Sequence, residues 1–295
     1  MDAPPMLAQD RITRDQRKLA ARLGADRLER SVSPGVVTHR RHTLDPGLDY
    51  YLYVPEDHHP DAPILVSVHG ISRNAHEHAE ALASQAERHG VVLIAPHFSR
   101  PRFPDYQRLG RRGHGVRADI ALDAIVAEVV ALTGARGDRF FLTGYSGGAQ
   151  FAHRYAFAYP RRVAALAVCA AGWYTFPDPD LVYPHGLRLG GRLPGVAFNP
   201  AAILRLPAVA FVGARDTARD PALNTADGID RRQGRTRLAR ARNWIAAMTE
   251  AARARGLDTG YDFELLPRTG HSFHAGVAPN RGDLARRLFE RMFTT

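Results

Sequence analysis

Residues 142–156 read LTGYSGGAQFAHRYA, and the reading of this stretch decides the fold. Gly144, Ser146, Gly147 and Gly148 crowd one corner of it. Before the corner, Arg139-Phe140-Phe141-Leu142-Thr143 is rich in aromatic and β-favouring residues and predicts a short strand. After it, Phe151, Tyr155 and Ala158 recur at helical spacing until Pro160, which predicts a helix over 147–158. A strand that turns sharply into a helix strains the residue at its tip. Small neighbours let the backbone pass closely and leave the Ser146 hydroxyl exposed there.

The same alternation extends in both directions. Apolar runs predict strands at 36–42, 50–54, 63–68, 91–95, 163–170, 208–212 and 261–266. Helical patterns fall at about 75–89, 117–132, 235–255 and 279–292. Strands separated by helices imply parallel pairing with right-handed crossovers, hence a doubly wound α/β sheet. The first two strands, with Asp45-Pro46-Gly47 between them as a turn, are expected to pair antiparallel at one edge. The simplest organisation is a polar extension over 1–30 and one domain over 31–295, interrupted by a long irregular insertion at about 172–206.

Bulk properties narrow the classes. A chain of 295 residues that is 45% hydrophobic and 24% charged can bury a sizeable core. Cys169 is the single cysteine, so no disulfide framework is possible within the chain. The N-terminal residues lack an apolar run of signal-peptide length, and no run reaches the roughly 18 residues of a membrane span. A cytoplasmic location is the default expectation, although a chain trimmed of its leader reads the same. The net charge of +10 invites a nucleic-acid reading. Against it, Lys18 is the single lysine, the arginines spread from Arg11 to Arg291, and no nucleic-acid module is recognisable. No nucleic-acid partner is therefore expected, and the oligomeric state is not legible.

In an open parallel sheet, ligands bind outside the carboxyl ends of the strands. The residues just past the strands are His69-Gly70-Ile71-Ser72, Gly144 to Gly148, Gly213-Ala214-Arg215-Asp216 and Gly270-His271-Ser272. A nucleophile, an acid and a base thus each come after a strand, in the chain order Ser146, Asp216, His271. GYSGG and this order resemble the nucleophile elbow and triad of the α/β-hydrolase superfamily, over roughly residues 35–293. Within it the chain looks most similar to compact bacterial esterases of the polyhydroxyalkanoate-depolymerase type. It departs from the secreted depolymerases in showing no leader, disulfide cysteines or appended binding domain.

The resemblance implies Ser146 as nucleophile, His271 as its base and Asp216 as the acid that orients the imidazole. The amides of Gly147 and Ile71 would form the oxyanion hole. His274 competes with His271, and Asp220, Asp227 and Asp230 compete with Asp216; proximity to a strand end favours the first of each. The expected activity is that of a cofactor-independent carboxylesterase on short to medium acyl esters. A thioesterase, a peptidase or a polyester depolymerase would use the same triad, and a non-catalytic hydrolase-fold binding protein is the alternative of another class. His76 and His78 stand two apart and share no helical face, so no metal site is expected.

The insertion carries Trp173, Tyr174, Phe176, Tyr183 and Phe198. These rings either line a pocket beneath a cap over the serine or pack that cap onto the domain. Trp173 and Tyr174, nearest a strand end, are the expected substrate-binding residues, together with Tyr145 and His69; His69 is also expected to shape its loop through ring hydrogen bonds. The loop over 99–115 carries five arginines, which either attract an anionic ester or form a solvated surface.

Overall fold

The computed structural model describes residues 32–293, so the expected extension over 1–30 lies outside the described residues. In chain order its elements are β1 (Thr38–His42), β2 (Asp45–Tyr53), β3 (Pro63–Val68), α1 (Ala75–Arg88), β4 (Val92–His97), α2 (Ala118–Thr133), β5 (Arg136–Tyr145) and α3 (Gly147–Ala158). They continue with β6 (Val163–Cys169), α4 (Pro200–Ile203), β7 (Ala208–Gly213), α5 (Asp227–Gln233), α6 (Arg237–Arg253), β8 (Tyr261–Leu266), α7 (Phe273–Val277) and α8 (Leu284–Phe293).

The apolar runs are continuous because the central strands are covered on both sides. In β3, Ile64, Val66 and Val68 enter one apolar cluster and Leu65 the other. The same alternation separates Ala208, Ala210 and Val212 from Val209 and Phe211 in β7. The first cluster takes Ile125, Val129, Phe151, Tyr155, Trp244 and Met248 from α2, α3 and α6. The second takes Leu82 from α1 and Leu284, Leu288 and Phe289 from α8. The eight strands run in the order β1-β2-β4-β3-β5-β6-β7-β8. Strands β1, β2 and β4 pair antiparallel, and the remaining pairs are parallel. This is the α/β-hydrolase fold, with β8 at one edge.

Several boundaries differ from the expected ones, three of them instructively. The hairpin turns at Thr43-Leu44, and Asp45-Pro46-Gly47 opens β2 instead of forming the turn, because His42 pairs with Asp45. Nδ1 of His42 accepts from the amides of Leu44 and Asp45, both at 3.2 Å, and so closes the turn two residues early. Strand β5 runs on to Tyr145, since Gly144 and Tyr145 pair with Val168 and Cys169. Helix α8 begins at Leu284, after a turn in which Asp283 takes a left-handed φ of 50°.

The insertion over 172–206 is tacked onto the domain through its buried polar groups. Thr175 accepts from Arg154 Nε at 2.9 Å and donates to the Pro184 carbonyl at 2.6 Å, while Trp244 Nε1 donates to the Thr175 carbonyl at 3.0 Å. Tyr183, Leu187 and Leu193 join the first cluster. Among the described residues no helix is long and apolar enough to cross a membrane.

Candidate active site

Strand β5 delivers the chain to Ser146, whose φ of 52° and ψ of −110° lie in a region that non-glycine residues rarely occupy. The strain persists because the surroundings over-determine it. The Ser146 amide donates to the Cys169 carbonyl of β6 at 2.7 Å, and the next residues enter α3 at once. A Cβ on Gly148 would lie 1.9 Å from the Val68 carbonyl oxygen, and one on Gly144 2.3 Å from Gly148. Those two positions therefore require glycine for close backbone passage.

The loops after β7 and β8 are bound to each other. The Ala214 amide donates to the Leu266 carbonyl at 2.9 Å, and that of Arg215 to the Thr269 carbonyl at 2.8 Å. Gly213 permits this, since a Cβ there would lie 2.5 Å from the Thr269 carbonyl oxygen. The junction brings Asp216 Oδ2 to 2.8 Å from His271 Nδ1, and His271 Nε2 lies 3.0 Å from Ser146 Oγ. With Nδ1 donating to the carboxylate, Nε2 is free of its proton and accepts from the serine hydroxyl. The Asp216 side chain is fully buried.

The competing candidates stand elsewhere. Asp220 accepts two bonds from Arg237, at 2.6 and 2.9 Å, and His274 is an exposed residue at the rim of the cleft. Asp227 and Asp230 belong to α5, where Asp230 pairs with Arg240 and Arg219.

Arg237 is the residue that sequence reasoning missed. It is fully buried, and its Nη1 stands 3.5 Å from Asp216 Oδ1 as well as 2.6 Å from Asp220 Oδ2. Its hydrogen bonds hold the Asp220 carboxyl down at about 2, against the opposing effect of burial. In the sequence Arg237 sits in the run RTRLARAR, which reads as the polar side of a surface helix. Replacing Arg237 by methionine leaves the buried Asp216 without the cation beside it. A loss of about 3–5 kcal/mol in unfolding free energy is expected, read from the urea midpoint; a midpoint within error of the parent would show that the charge is dispensable.

A cleft of about 320 Å³ opens above the serine, lined in part by Ile71, Tyr145, Ser146, His271 and Phe273. The Tyr145 ring packs 5.4 Å from that of His271. Ile71 is 42% exposed at the lip, and its Cγ2 lies 3.1 Å from where a Cβ on Gly147 would be. The two residues are thus neighbours beside the serine.

Two expected pocket residues are corrected, and a third is displaced. Tyr174 is fully buried, stacked 4.9 Å from Trp244 and pinned by both backbone groups to the Gln233 amide, so it belongs to the core. His69 is also fully buried and touches no open space. Its Nε2 accepts from the Phe98 amide at 3.0 Å and its Nδ1 donates to the Gly70 carbonyl at 2.8 Å, which fixes the loop that carries Ile71. Burial pushes its imidazole down to about 3. Trp173 lines a separate hollow beside the serine cleft, and no residue of the 172–206 insertion lines the cleft itself. Among the described residues, no three or more His, Cys, Asp or Glu side chains are grouped to hold a metal ion.

Comparison with known proteins bears on the family and the fold. The profile of the family described as Esterase PHB depolymerase matches residues 48–220, more than half of the chain, and that stretch contains Ser146 and Asp216. The poly(3-hydroxybutyrate) depolymerase LpqC of Bordetella parapertussis is 26% identical with a TM-score of 0.73, over 94% of this chain and 95% of its own. Poly(aspartic acid) hydrolase-1 of Sphingomonas sp. KT-1 shares the fold at 22% identity and a TM-score of 0.69, over 90% and 100%. An S-formylglutathione hydrolase of Agrobacterium tumefaciens does so at 16% and 0.56, over 87% and 94%. No curated protein is matched by the sequence.

Proposed function

The chain belongs to the esterase PHB depolymerase family, a family of ester hydrolases, and from that premise we propose that it is a carboxylesterase that cleaves short to medium acyl esters through an acyl-enzyme on Ser146. The observation that supports this is the continuous line from Asp216 through His271 to Ser146, at 2.8 and 3.0 Å. A serine hydroxyl is a weak nucleophile near neutrality and needs a base within hydrogen-bond reach. Nε2 of His271 takes the proton as Oγ attacks the acyl carbon, and Asp216 stabilises the imidazolium that forms. The developing oxyanion is held by the amides of Gly147, at the open N-terminus of α3, and of Ile71. His271 then protonates the departing alkoxide, and water, activated the same way, releases the acid.

The cleft volume of about 320 Å³ suits a small ester, at the lower end of small-molecule pockets. Depolymerase activity is the second reading, drawn from the Bordetella neighbour of that name. Thioester or peptide cleavage by the same relay and ligand binding without turnover are the remaining alternatives. Fluorophosphonate labelling should mark the parent enzyme and be lost in Ser146→Ala, along with turnover of 4-nitrophenyl butyrate. Persistence of both in the variant would refute the role of Ser146. Faster release of acid from poly(3-hydroxybutyrate) granules than from soluble butyrate esters would favour the second reading.

A further inference from the structure

Beside the serine cleft lies a hollow of about 260 Å³, lined by Arg108, Arg111, Trp173, His185, Arg192 and Asn224 among others. The cations there outnumber the anions. Asp105 pairs with both Arg108 and Arg111. Arg192 is exposed, and among the described residues no carboxylate pairs with it. Behind Trp173 stands Arg154, fully buried, its guanidinium 4.2 Å from the indole centre. It donates to the Gln107 carbonyl, Thr175 Oγ1 and Gln150 Oε1, all neutral acceptors, and its Nη2 has no partner. Burial, chiefly, holds this guanidinium down to about 9. His185 feels the same field: burial first, then the charges of Arg154, Arg232 and Arg192, lower its imidazole. A buried guanidinium without a counter-charge is costly, and an anion nearby relieves that cost.

Two segments connect the surroundings of the serine to the hollow. Gln107 places its amide nitrogen 2.7 Å from the Cβ position of Gly147, while the next residue, Arg108, lines the hollow. Ala222 lines the serine cleft and Asn224 the hollow; two residues of chain span at most about 7 Å. We infer that the hollow is a carboxylate-binding subsite, and that the preferred esters carry a free carboxylate several bonds from the scissile carbonyl. Arg192 offers a planar donor fork that matches a carboxylate, the fork of Arg111 being already taken by Asp105. The Trp173 ring in the wall borders the methylenes leading to the carboxylate. This rests on the esterase reading of the serine cleft.

The test compares 4-nitrophenyl hydrogen adipate, a monoanion, with 4-nitrophenyl methyl adipate, its neutral counterpart of equal chain length. The parent enzyme should favour the anion in kcat/KM by about tenfold at low salt, as one charge-assisted hydrogen bond supplies. The preference should shrink as salt is added. Arg192→Glu should bring the ratio to one or below and Arg192→Gln to an intermediate value; a ratio still near ten in both overturns the assignment. Adipate binding to Ser146→Ala, followed by calorimetry with and without Arg192→Glu, reads the hollow independently of turnover. A neutral ester turned over with no preference for the anion removes the subsite and leaves the esterase. Adipate bound in an Arg192-dependent way with neither ester cleaved keeps the subsite and removes the esterase; neither binding nor cleavage removes both.

Discussion

Asp216→Asn is expected to lower kcat on a neutral ester by about 10⁴-fold with little change in KM, and Asp220→Asn to lose less than tenfold. The two carboxylates lie four residues apart, both touch Arg237, and only geometry distinguishes them. Asp216 accepts from His271 Nδ1 at 2.8 Å. An asparagine amide there presents a donor, which favours the tautomer with its proton on Nε2 and blocks acceptance from Ser146. Asp220 has 32% of its side chain exposed and is occupied by Arg237, so its loss reaches the imidazole only indirectly. Equal losses in the two variants would mean that the carboxylates act as a shared pair and that the assignment of Asp216 is wrong.

Mild acid is the second large effect. His69, His78 and His153 are buried as neutral rings, and burial is the first cause that lowers each of them, to about 3 for His69. The bonding agrees: the amides of Phe98 and Thr175 donate to Nε2 of His69 and of His153, which a protonated ring could not accept. Each histidine gains a proton on unfolding below its ordinary value near 6.5. Its contribution is therefore complete above that pH and falls by about 1.4 kcal/mol per unit below it. Asp123 opposes them, since burial raises its carboxyl to about 6 and the folded chain keeps a proton that the unfolded chain releases. Three fully buried histidines against one carboxyl leave a net loss of about 3 kcal/mol per pH unit between pH 6 and 4 from these four groups. The half-buried His97 and His185, also lowered by burial, add to it. Thermal unfolding measured from pH 7.5 to 4.5 should show at least that slope, equivalent to about two protons taken up. A midpoint that stays level from pH 7 to 5 would rule out the neutral-histidine account.

How much the sequence discloses depends on whether the decisive force is local. The elbow is legible because backbone passage at Gly144 and Gly148 excludes any side chain, a demand that leaves its mark in the residues themselves. Ser146, Asp216 and His271 are each found by inspecting the residues just past an apolar strand. Tyr174 misleads because an aromatic ring near a strand end fits the core or a pocket equally, and only its stacking on Trp244 decides. Arg237 hides because burial of a cation depends on distant carboxylates, which periodicity does not carry. At Asp45-Pro46-Gly47 sound turn chemistry is overruled by the single ring nitrogen of His42. Helices α5 and α7, of seven and five residues, are too short to show a period.

The position of β8 divides the relay into unequal parts. Asp216 and His271 ride on the joined ends of β7 and β8, the latter bordered on one side only, while Ser146 is fastened to the interior through Cys169. Heat frays the margin of an open sheet before its middle. His271, carried by the margin, then drifts from both Asp216, which follows the interior strand β7, and Ser146, so the gaps that widen are the two the imidazole spans. Such a molecule goes silent while most of it is still folded, and cooling restores it without any need to fold again.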